Sequence, residues 1–404
     1  MSFWDACKTD DTVQSSGKNA MKTGKKNIFL KSREALLSLA TRRISMTCDA
    51  IPYVFENVPL KKVINWLKVE TSLLGKPDRP WGWPTHLQVE PSNRCNLRCV
   101  LCPVSGEMKR NQGHMDLSLF RNLIDQIGDF LFLILLWDWG EPFMNPRIYQ
   151  MIAYAKQKGI KLISSTNGHL FTNLKLVDRV IESGLDSLIF AVDGVSQETY
   201  EKYRKRGRLE TALEGVRTLA ARKRELGSST PLINFRFIVM RHNEHEIPSL
   251  KELAKSLGVD VLTLKTLNPC ANNTYRGQDE APAKHGLELA PENHRYRRFD
   301  FDDNGDTPIH ASSNPCKNLW NAPTIHWDGK VCPCTYDYDD RLVLGDLKKE
   351  IFEEVWRGRA YRQMRRMLRQ NDKTNHFCNE CSYAYKGGSC IDETIAEASF
   401  FAHT

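Results

Sequence analysis

From Thr85 onward the chain alternates short apolar runs with longer stretches of helical period. The runs are HLQVEP (86–91), LFLILLWDW (131–139), KLISSTN (161–167), SLIFAVD (187–193), INFRFIVM (233–240) and DVLTLKT (260–266). Each is strand-sized, and apolar side chains dominate both alternating sets, as expected of strands covered on two faces. Between them, 117–129, 145–158, 173–183, 197–225 and 247–257 carry apolar residues three and four apart, which predicts helices. Gly159, Gly184 and Gly258 fall where those helices should end. Six strands alternating with helical crossovers predict an α/β fold with a parallel sheet, and right-handed crossovers curl it into a partial (β/α)6 barrel. Ligands in such folds bind beyond the C-terminal strand ends. The polar punctuation falls there: Glu90-Pro91-Ser92, Trp139-Gly140-Glu141-Pro142, Thr166-Asn167-Gly168 and Asp193-Gly194.

The flanks lose this rhythm. Residues 1–84 read as a basic, partly disordered helical extension, with helical patterns over 29–43 and 59–74. The proline-rich KPDRPWGWP (76–84) closes it, and the barrel is expected over 85–268. Residues 269–313, rich in Asn, Asp, Pro and Arg, read as a linker or a loop over the site. Residues 314–404 form a small Cys-rich α+β domain with a hairpin at WDGKV and a basic helix near 348–369.

Composition narrows the class. With 41% hydrophobic and 26% charged residues, the chain can bury a core. No apolar run approaches the roughly 20 residues needed to cross a bilayer. The opening MSFWDACKTDD lacks a basic region followed by an apolar one, so the expected compartment is the cytoplasm. The net charge of +8 allows anionic partners, but no nucleic-acid-binding module is present, and nucleic acid is not expected. The N-terminal helices could touch a membrane surface peripherally.

Twelve cysteines are many for a reducing compartment and read as metal or redox ligands. Cys95, Cys99 and Cys102 follow the first strand directly. Three thiolates in one loop can hold three irons of a [4Fe–4S] cluster and leave the fourth open to a small molecule. A zinc site completed by a fourth residue, or unpaired thiols, fit the spacing as well. The second group is Cys316, Cys332, Cys334, Cys378, Cys381 and Cys390.

The loop CNLRCVLCP (95–103), followed by GEP, TNG and DG after successive strands, resembles the radical SAM superfamily over roughly 85–270. The resemblance implies that the open iron binds S-adenosylmethionine (SAM), whose reductive cleavage gives a 5′-deoxyadenosyl radical that abstracts a substrate hydrogen. A flavodoxin- or ferredoxin-type donor would supply the electron. Trp139-Gly140-Glu141-Pro142 matches the family's GGEP, which contacts the SAM amino group, with Trp139 replacing the first Gly. Leu101 stands in the slot that packs near adenine. Ser165, Thr166 and Asn167 could bond the SAM carboxylate or ribose. Ala191-Val192-Asp193-Gly194 resembles the family's S-x-D-G and offers Asp193 to ribose or substrate. Arg236 and Met240 on the fifth strand complete the cofactor set, although Arg236 could equally form a structural salt bridge.

Cys316-x12-Gly329-x4-Cys334, closed by Cys378-x2-Cys381, resembles a SPASM domain reduced to one cluster. That likeness implies one auxiliary [4Fe–4S] cluster on Cys316, Cys334, Cys378 and Cys381. Cys332 and Cys390 remain as thiols that could replace one of these, and a zinc ribbon is the alternative. Cys270, past the sixth strand, could donate a hydrogen atom to a substrate radical or be an inert filler.

Together these features predict an enzyme that oxidises a small natural product, such as a sugar or aminocyclitol, by two electrons. The auxiliary cluster would accept the second electron. Radical epimerisation, peptide or protein modification, and a non-catalytic iron–sulfur or zinc protein are the rival readings.

Overall fold

The computed structural model describes residues 35–106, 108–268, 288–298, 316–370, 372, 376–379, 381 and 391–395. A short helix over 35–41 (α1) precedes a hairpin of β1 (Ile44–Cys48) and β2 (Ile51–Phe55), then α2 (Leu60–Gly75). The barrel follows as β3 (His86–Val89), α3 (Leu117–Ile127), β4 (Leu133–Leu135), α4 (Ile148–Lys156), β5 (Lys161–Thr166), α5 (Leu174–Glu182) and β6 (Ser187–Ala191). It continues with α6 (Gln197–Tyr203), α7 (Leu209–Glu225), β7 (Leu232–Val239), α8 (Ile247–Leu257) and β8 (Val261–Thr266). Beyond it lie α9 (Asn318–Asn321), β9 (Thr324–Ile325), β10 (Lys330–Cys332), β11 (Gly345–Asp346), α10 (Phe352–Trp356), α11 (Arg359–Gln370), α12 (His376–Asn379) and β12 (Ile391–Ile395).

Strands β3 to β8 pair in parallel in chain order, each neighbour joined by a helical crossover. The sheet is an open, partial barrel. One edge carries β9 parallel to β3, then β10 and β11, and the other carries β12 antiparallel to β8. The C-terminal segment therefore extends the barrel's own sheet, a feature absent from the alternation of apolar runs.

Each crossover helix buries one stripe. Helix α3 puts Phe120, Leu123, Ile124 and Ile127 inward at helical spacing. These pack on the outward strand residues Leu87, Val89, Ile134, Leu162, Leu188, Phe190, Phe235 and Leu264 in one continuous core. The 197–225 segment is two helices, because Arg204 to Arg208 leave helical geometry, with Arg206 at φ 67°. The basic helix near 348–369 is likewise two, interrupted at Arg357-Gly358.

The extension departs most from its helical expectation. Residues 44–55 form a β-hairpin whose turn, Asp49-Ala50, has both φ positive (51° and 61°), the two-residue geometry that matches strand twist. Its alternating residues Ile44, Met46, Ile51, Tyr53 and Phe55 are buried, together with Val63 and Trp66 of α2, against Leu133, Ile163 and Ile189. Those three belong to the set of strand positions that does not face the crossover helices. The hairpin thus fills the inner face of the open barrel. Pro52 in β2 and an Ala in place of Gly in the turn hide this hairpin from a sequence reading.

Candidate functional site

The loop after β3 is held by its neighbours. Val100 N donates to Tyr203 O and Arg98 N to Lys205 O, each at 3.0 Å, and Ser105 Oγ donates to Cys99 O at 2.8 Å. Cys95, Cys99 and Cys102 are brought together with Leu101, Leu97, Tyr203, Met240 and Leu267 in one apolar cluster, and none forms a disulfide. Burial pushes the Cys95 thiol up to about 11, and the carboxylate of Glu141 and the Cys99 sulfur add to the rise. Cys102 is raised by burial and by the sulfurs of Cys99 and Cys95. Three buried sulfurs that repel one another as thiolates suit a bound cation, which lowers the pKa of thiols that ligate it.

Gly140 explains how the second strand end approaches this loop. Its φ is +101°, and an added Cβ would meet Ser92 O at 2.6 Å, Asn93 Cα at 2.7 Å and Arg94 O at 2.8 Å. Glu141 N then donates to Arg94 O at 2.7 Å. The Glu141 carboxylate is buried and accepts from Asn167 N (2.9 Å) and Phe143 N (3.3 Å). Burial pushes it up to about 7 against those bonds. Asn167 Nδ2 donates to Asn96 Oδ1 at 2.7 Å and lies 3.9 Å from Cys95 Sγ. Gly140, Glu141, Pro142 and Asn167 therefore sit against the cysteine loop. Ser165 and Thr166 end β5 beside them, Thr166 Oγ1 accepting from Gly168 N at 3.1 Å.

Two expected contacts are otherwise engaged. Asp193 is fully buried, with Oδ1 accepting from Ile238 N (2.8 Å) and Oδ2 from Arg204 Nε (2.5 Å). Both oxygens of this carboxylate thus hold protein groups. Arg236 donates to Thr263 Oγ1 (3.2 Å) and pairs with Asp49 Oδ2 at the hairpin turn (3.1 Å). Arg204, which sequence reasoning passed over, also reaches the cysteine loop. Its Nη1 donates to Cys99 Sγ at 3.5 Å, bringing a buried cation to the triad. Its only signal in the sequence is the basic run RKRGR (204–208).

A second group forms in the C-terminal segment. The sulfurs of Cys316, Cys378 and Cys381 all raise the Cys334 thiol, after burial itself, so the four lie near one another. A four-sulfur set is closed, with no ligand position left open by the protein. Cys332 points elsewhere, to His326 Nδ1 at 3.6 Å. Cys270 and Cys390 lie outside the described residues. Trp139 ties the two regions together: its Nε1 donates to Thr335 O at 2.7 Å, and its ring meets Tyr338 edge-on at 5.8 Å. Among the described residues no helix is long and apolar enough to cross a membrane.

Comparison with known proteins agrees with this layout. The model of the radical SAM superfamily matches residues 89–254, and that of the SPASM iron–sulfur cluster-binding domain matches 316–382. The tungsten-containing aldehyde ferredoxin oxidoreductase cofactor-modifying protein of Pyrococcus furiosus is 25% identical over 353 residues, covering 79% of this chain and 90% of that one. An AdoMet-dependent heme synthase of Methanosarcina barkeri is 23% identical over 333 residues, covering 73% and 88%. The structure of Streptococcus suis SuiB bound to its precursor peptide SuiA superposes with a TM-score of 0.53 at 16% identity. It covers 86% of this chain and 80% of that one, a likeness of fold.

Proposed function

The chain belongs to the radical SAM superfamily and carries a SPASM domain, and from that premise we propose that it is a dehydrogenase that oxidises a small organic molecule by two electrons. Its cofactors are [4Fe–4S] clusters and SAM. In this reading Cys95, Cys99 and Cys102 hold the SAM-binding cluster, and Cys316, Cys334, Cys378 and Cys381 hold one auxiliary cluster. When bound, the first supplies the electron that cleaves SAM to the hydrogen-abstracting 5′-deoxyadenosyl radical, and the second can accept the substrate's second electron.

The chain's own residues prepare this chemistry. Arg204 sets a positive charge against Cys99 and is itself oriented by Asp193. Gly140 lets the Glu141 segment close on the cysteine loop, where Glu141 offers a carboxylate to an ammonium group. Leu101 and Met240 line the loop with apolar surface suited to an adenine. Tyr203 and Leu267 help exclude water, which protects a radical from quenching.

The observation that carries the oxidative reading is the proximity of four cysteines to one another, with the residue after Cys334, Thr335, touching the barrel loop at Trp139. Relatives whose names describe cofactor modification and heme synthesis support a small substrate, for which we propose a sugar or aminocyclitol. Anaerobic protein reconstituted with iron and sulfide, then given dithionite and SAM, should form 5′-deoxyadenosine. A Cys95/Cys99/Cys102→Ala variant should not. With substrate, each turnover should consume one SAM and raise the product's oxidation level by two electrons. A product at the substrate's own oxidation level carrying solvent deuterium would replace this reading with epimerisation.

A further inference from the structure

Where the barrel meets the C-terminal hairpin, a histidine is enclosed between two aspartates. His326 is in the β9–β10 turn, Asp138 follows β4 and Asp340 follows β10. The side chains of His326 and Asp138 are 0% and 1% exposed. His326 Nδ1 lies 2.6 Å from Asp340 Oδ1. On the other side, Nε2 faces Asp138 Oδ2 across 3.8 Å, and neither of these buried atoms has another partner. Asp138 Oδ1 accepts the hydroxyl of Thr335, the residue after Cys334.

Charged groups surround the pair, among them Asp328, whose Oδ2 lies 3.3 Å from Lys330 Nζ. Glu90, at the end of β3, is clamped by Arg110, whose Nη1 lies 2.8 Å from it. Lys330 on β10 pairs with Asp340 Oδ2 at 2.5 Å and reaches solvent at 36% exposure. Cys332 lies 3.6 Å from His326 Nδ1 and 4.0 Å from Asp340. Asp337, beyond Cys332, accepts the amides of Arg341 and Leu342. Glu90, Asp138, Asp328, Asp337 and Asp340 outnumber Arg110 and Lys330, so the surroundings are net negative and favour a proton on the imidazole.

His326, Cys332 and Asp340 also have the donor types of a metal site. The geometry argues for a proton instead. Two ligands at about 2.1 Å from one tetrahedral ion lie about 3.3 Å apart, whereas His326 and Asp340 are at 2.6 Å, a hydrogen bond. Two cations already occupy the neighbourhood.

We propose that Asp138 and His326 form a redox-linked proton site for the auxiliary cluster, taking up one proton as that cluster takes up one electron. This rests on the oxidative reading above. A substrate radical on a carbon bearing a hydroxyl becomes a carbonyl by losing one electron and one proton. The electron would go to the auxiliary cluster and the substrate's proton to solvent, while the Asp138–His326 pair takes up one proton from solvent that offsets the added negative charge. The link is short, since Thr335 bonds Asp138 and consecutive Cα atoms are about 3.8 Å apart. Burial and the Glu90 charge push the Asp138 carboxyl well above the usual carboxylate range, so the buried pair can hold a proton there. Burial opposes a charged His326 ring, but the Asp340 bond and the Glu90 field outweigh it and lift the ring's pKa.

The test is potentiometry of the reconstituted full chain in the Cys95/Cys99/Cys102→Ala background, following the auxiliary cluster by electron paramagnetic resonance between pH 6 and 9. One proton per electron makes the equilibrium tenfold pH-dependent per unit, a fall of about 59 mV. Asp138→Asn and His326→Gln should flatten that slope, and the surface control Asp125→Asn should keep it. A flat wild-type profile, or an unchanged slope in Asp138→Asn, overturns the proposal. Should the variants fail to load iron, redox-difference infrared spectra of the wild type decide. A carboxylic acid band that appears on reduction and shifts in D2O supports the site, and its absence overturns it. Zinc bound beyond the cluster iron and lost in Cys332→Ser would also overturn it. A sloped potential without substrate oxidation removes the dehydrogenase reading alone, and turnover with a flat potential removes the proton site alone.

Discussion

Arg204 donates to the sulfur of Cys99 at 3.5 Å while Asp193, fully buried, holds the other side of the same guanidinium at 2.5 Å. The aspartate and the arginine follow β6 eleven residues apart, and helix α6 folds between them to return the arginine to the cysteine loop. An aspartate at a strand end thus acts on the triad through a cation.

A buried hydrogen bond to a charged group contributes roughly 1.5–3 kcal/mol. Arg204→Ala should therefore slow formation of 5′-deoxyadenosine about 10- to 100-fold, because the added electron loses a nearby positive charge. Iron content should stay close to that of the wild type. Asp193→Asn, which leaves the cation present but loosely oriented, should give a smaller loss. Equal rates in all three proteins at equal iron would show that Arg204 serves packing alone.

Gly140 leads to a steric prediction. A Cβ there must clear three backbone atoms at 2.6–2.8 Å in a conformation, φ +101°, that L side chains rarely adopt. Gly140→Ala should cost about 2 kcal/mol or more and displace the cysteine loop. The expected result is a lower denaturation midpoint together with reduced iron loading. By contrast, Gly227, at φ +61° with open space around it, should accept Ala with only the strain of its backbone and no change in iron.

How much of this was legible beforehand depends on the range of the interactions. The six parallel strands were readable because each crossover must bury a continuous apolar stripe, and such stripes are local patterns, as in Phe120, Leu123, Ile124 and Ile127. The cysteine loop and Glu141 were readable as spaced motifs. The hairpin at 44–55 was not, because Pro52 and Ala50 contradict the usual strand and turn chemistry and its stability comes from contacts with Leu133, Ile163 and Ile189 far along the chain. Arg204 was hidden for a similar reason: a basic run reads as solvated until Asp193 and Cys99 are brought beside it. His326 and Asp138 are 188 positions apart, and the pairing of β3 with both β4 and β9 brings them together.

His86 should make the fold acid-sensitive. It is enclosed on β3 beside Thr85 Oγ1 at 2.8 Å, and burial holds its pKa down at about 4 against an ordinary 6.5. Below pH 6.5 the unfolded chain binds a proton that the folded one refuses. This contribution is complete above 6.5 and is lost as the pH falls towards 4, by about 3 kcal/mol. Glu141 and Asp138, whose pKa values are raised, act in the opposite sense over the same range. The difference between wild type and His86→Asn isolates the histidine. Urea midpoints should converge or cross as pH drops from 7 to 4, and a constant offset would refute the assignment.

The ion pair between Arg236 and Asp49 fixes the tip of the hairpin inside the barrel. Its side chains are 7% and 21% exposed, and Arg236 also donates to Thr263 Oγ1. Removing Asp49 leaves a guanidinium enclosed without its counter-charge, at a cost of about 3 kcal/mol. Replacing both residues by apolar ones removes the uncompensated charge, so Asp49→Ala with Arg236→Met should be more stable than Asp49→Ala alone. The same four proteins separate this structural role from a contact to the SAM carboxylate. If Arg236 serves the hairpin, SAM affinity measured calorimetrically on reconstituted protein should stay within about twofold in every variant that folds, while urea midpoints show the coupling. If it serves the cofactor, Arg236→Met should weaken SAM about tenfold or more and Asp49→Ala should leave stability unchanged, since a charge-assisted bond of roughly 1.5–3 kcal/mol would then belong to the ligand.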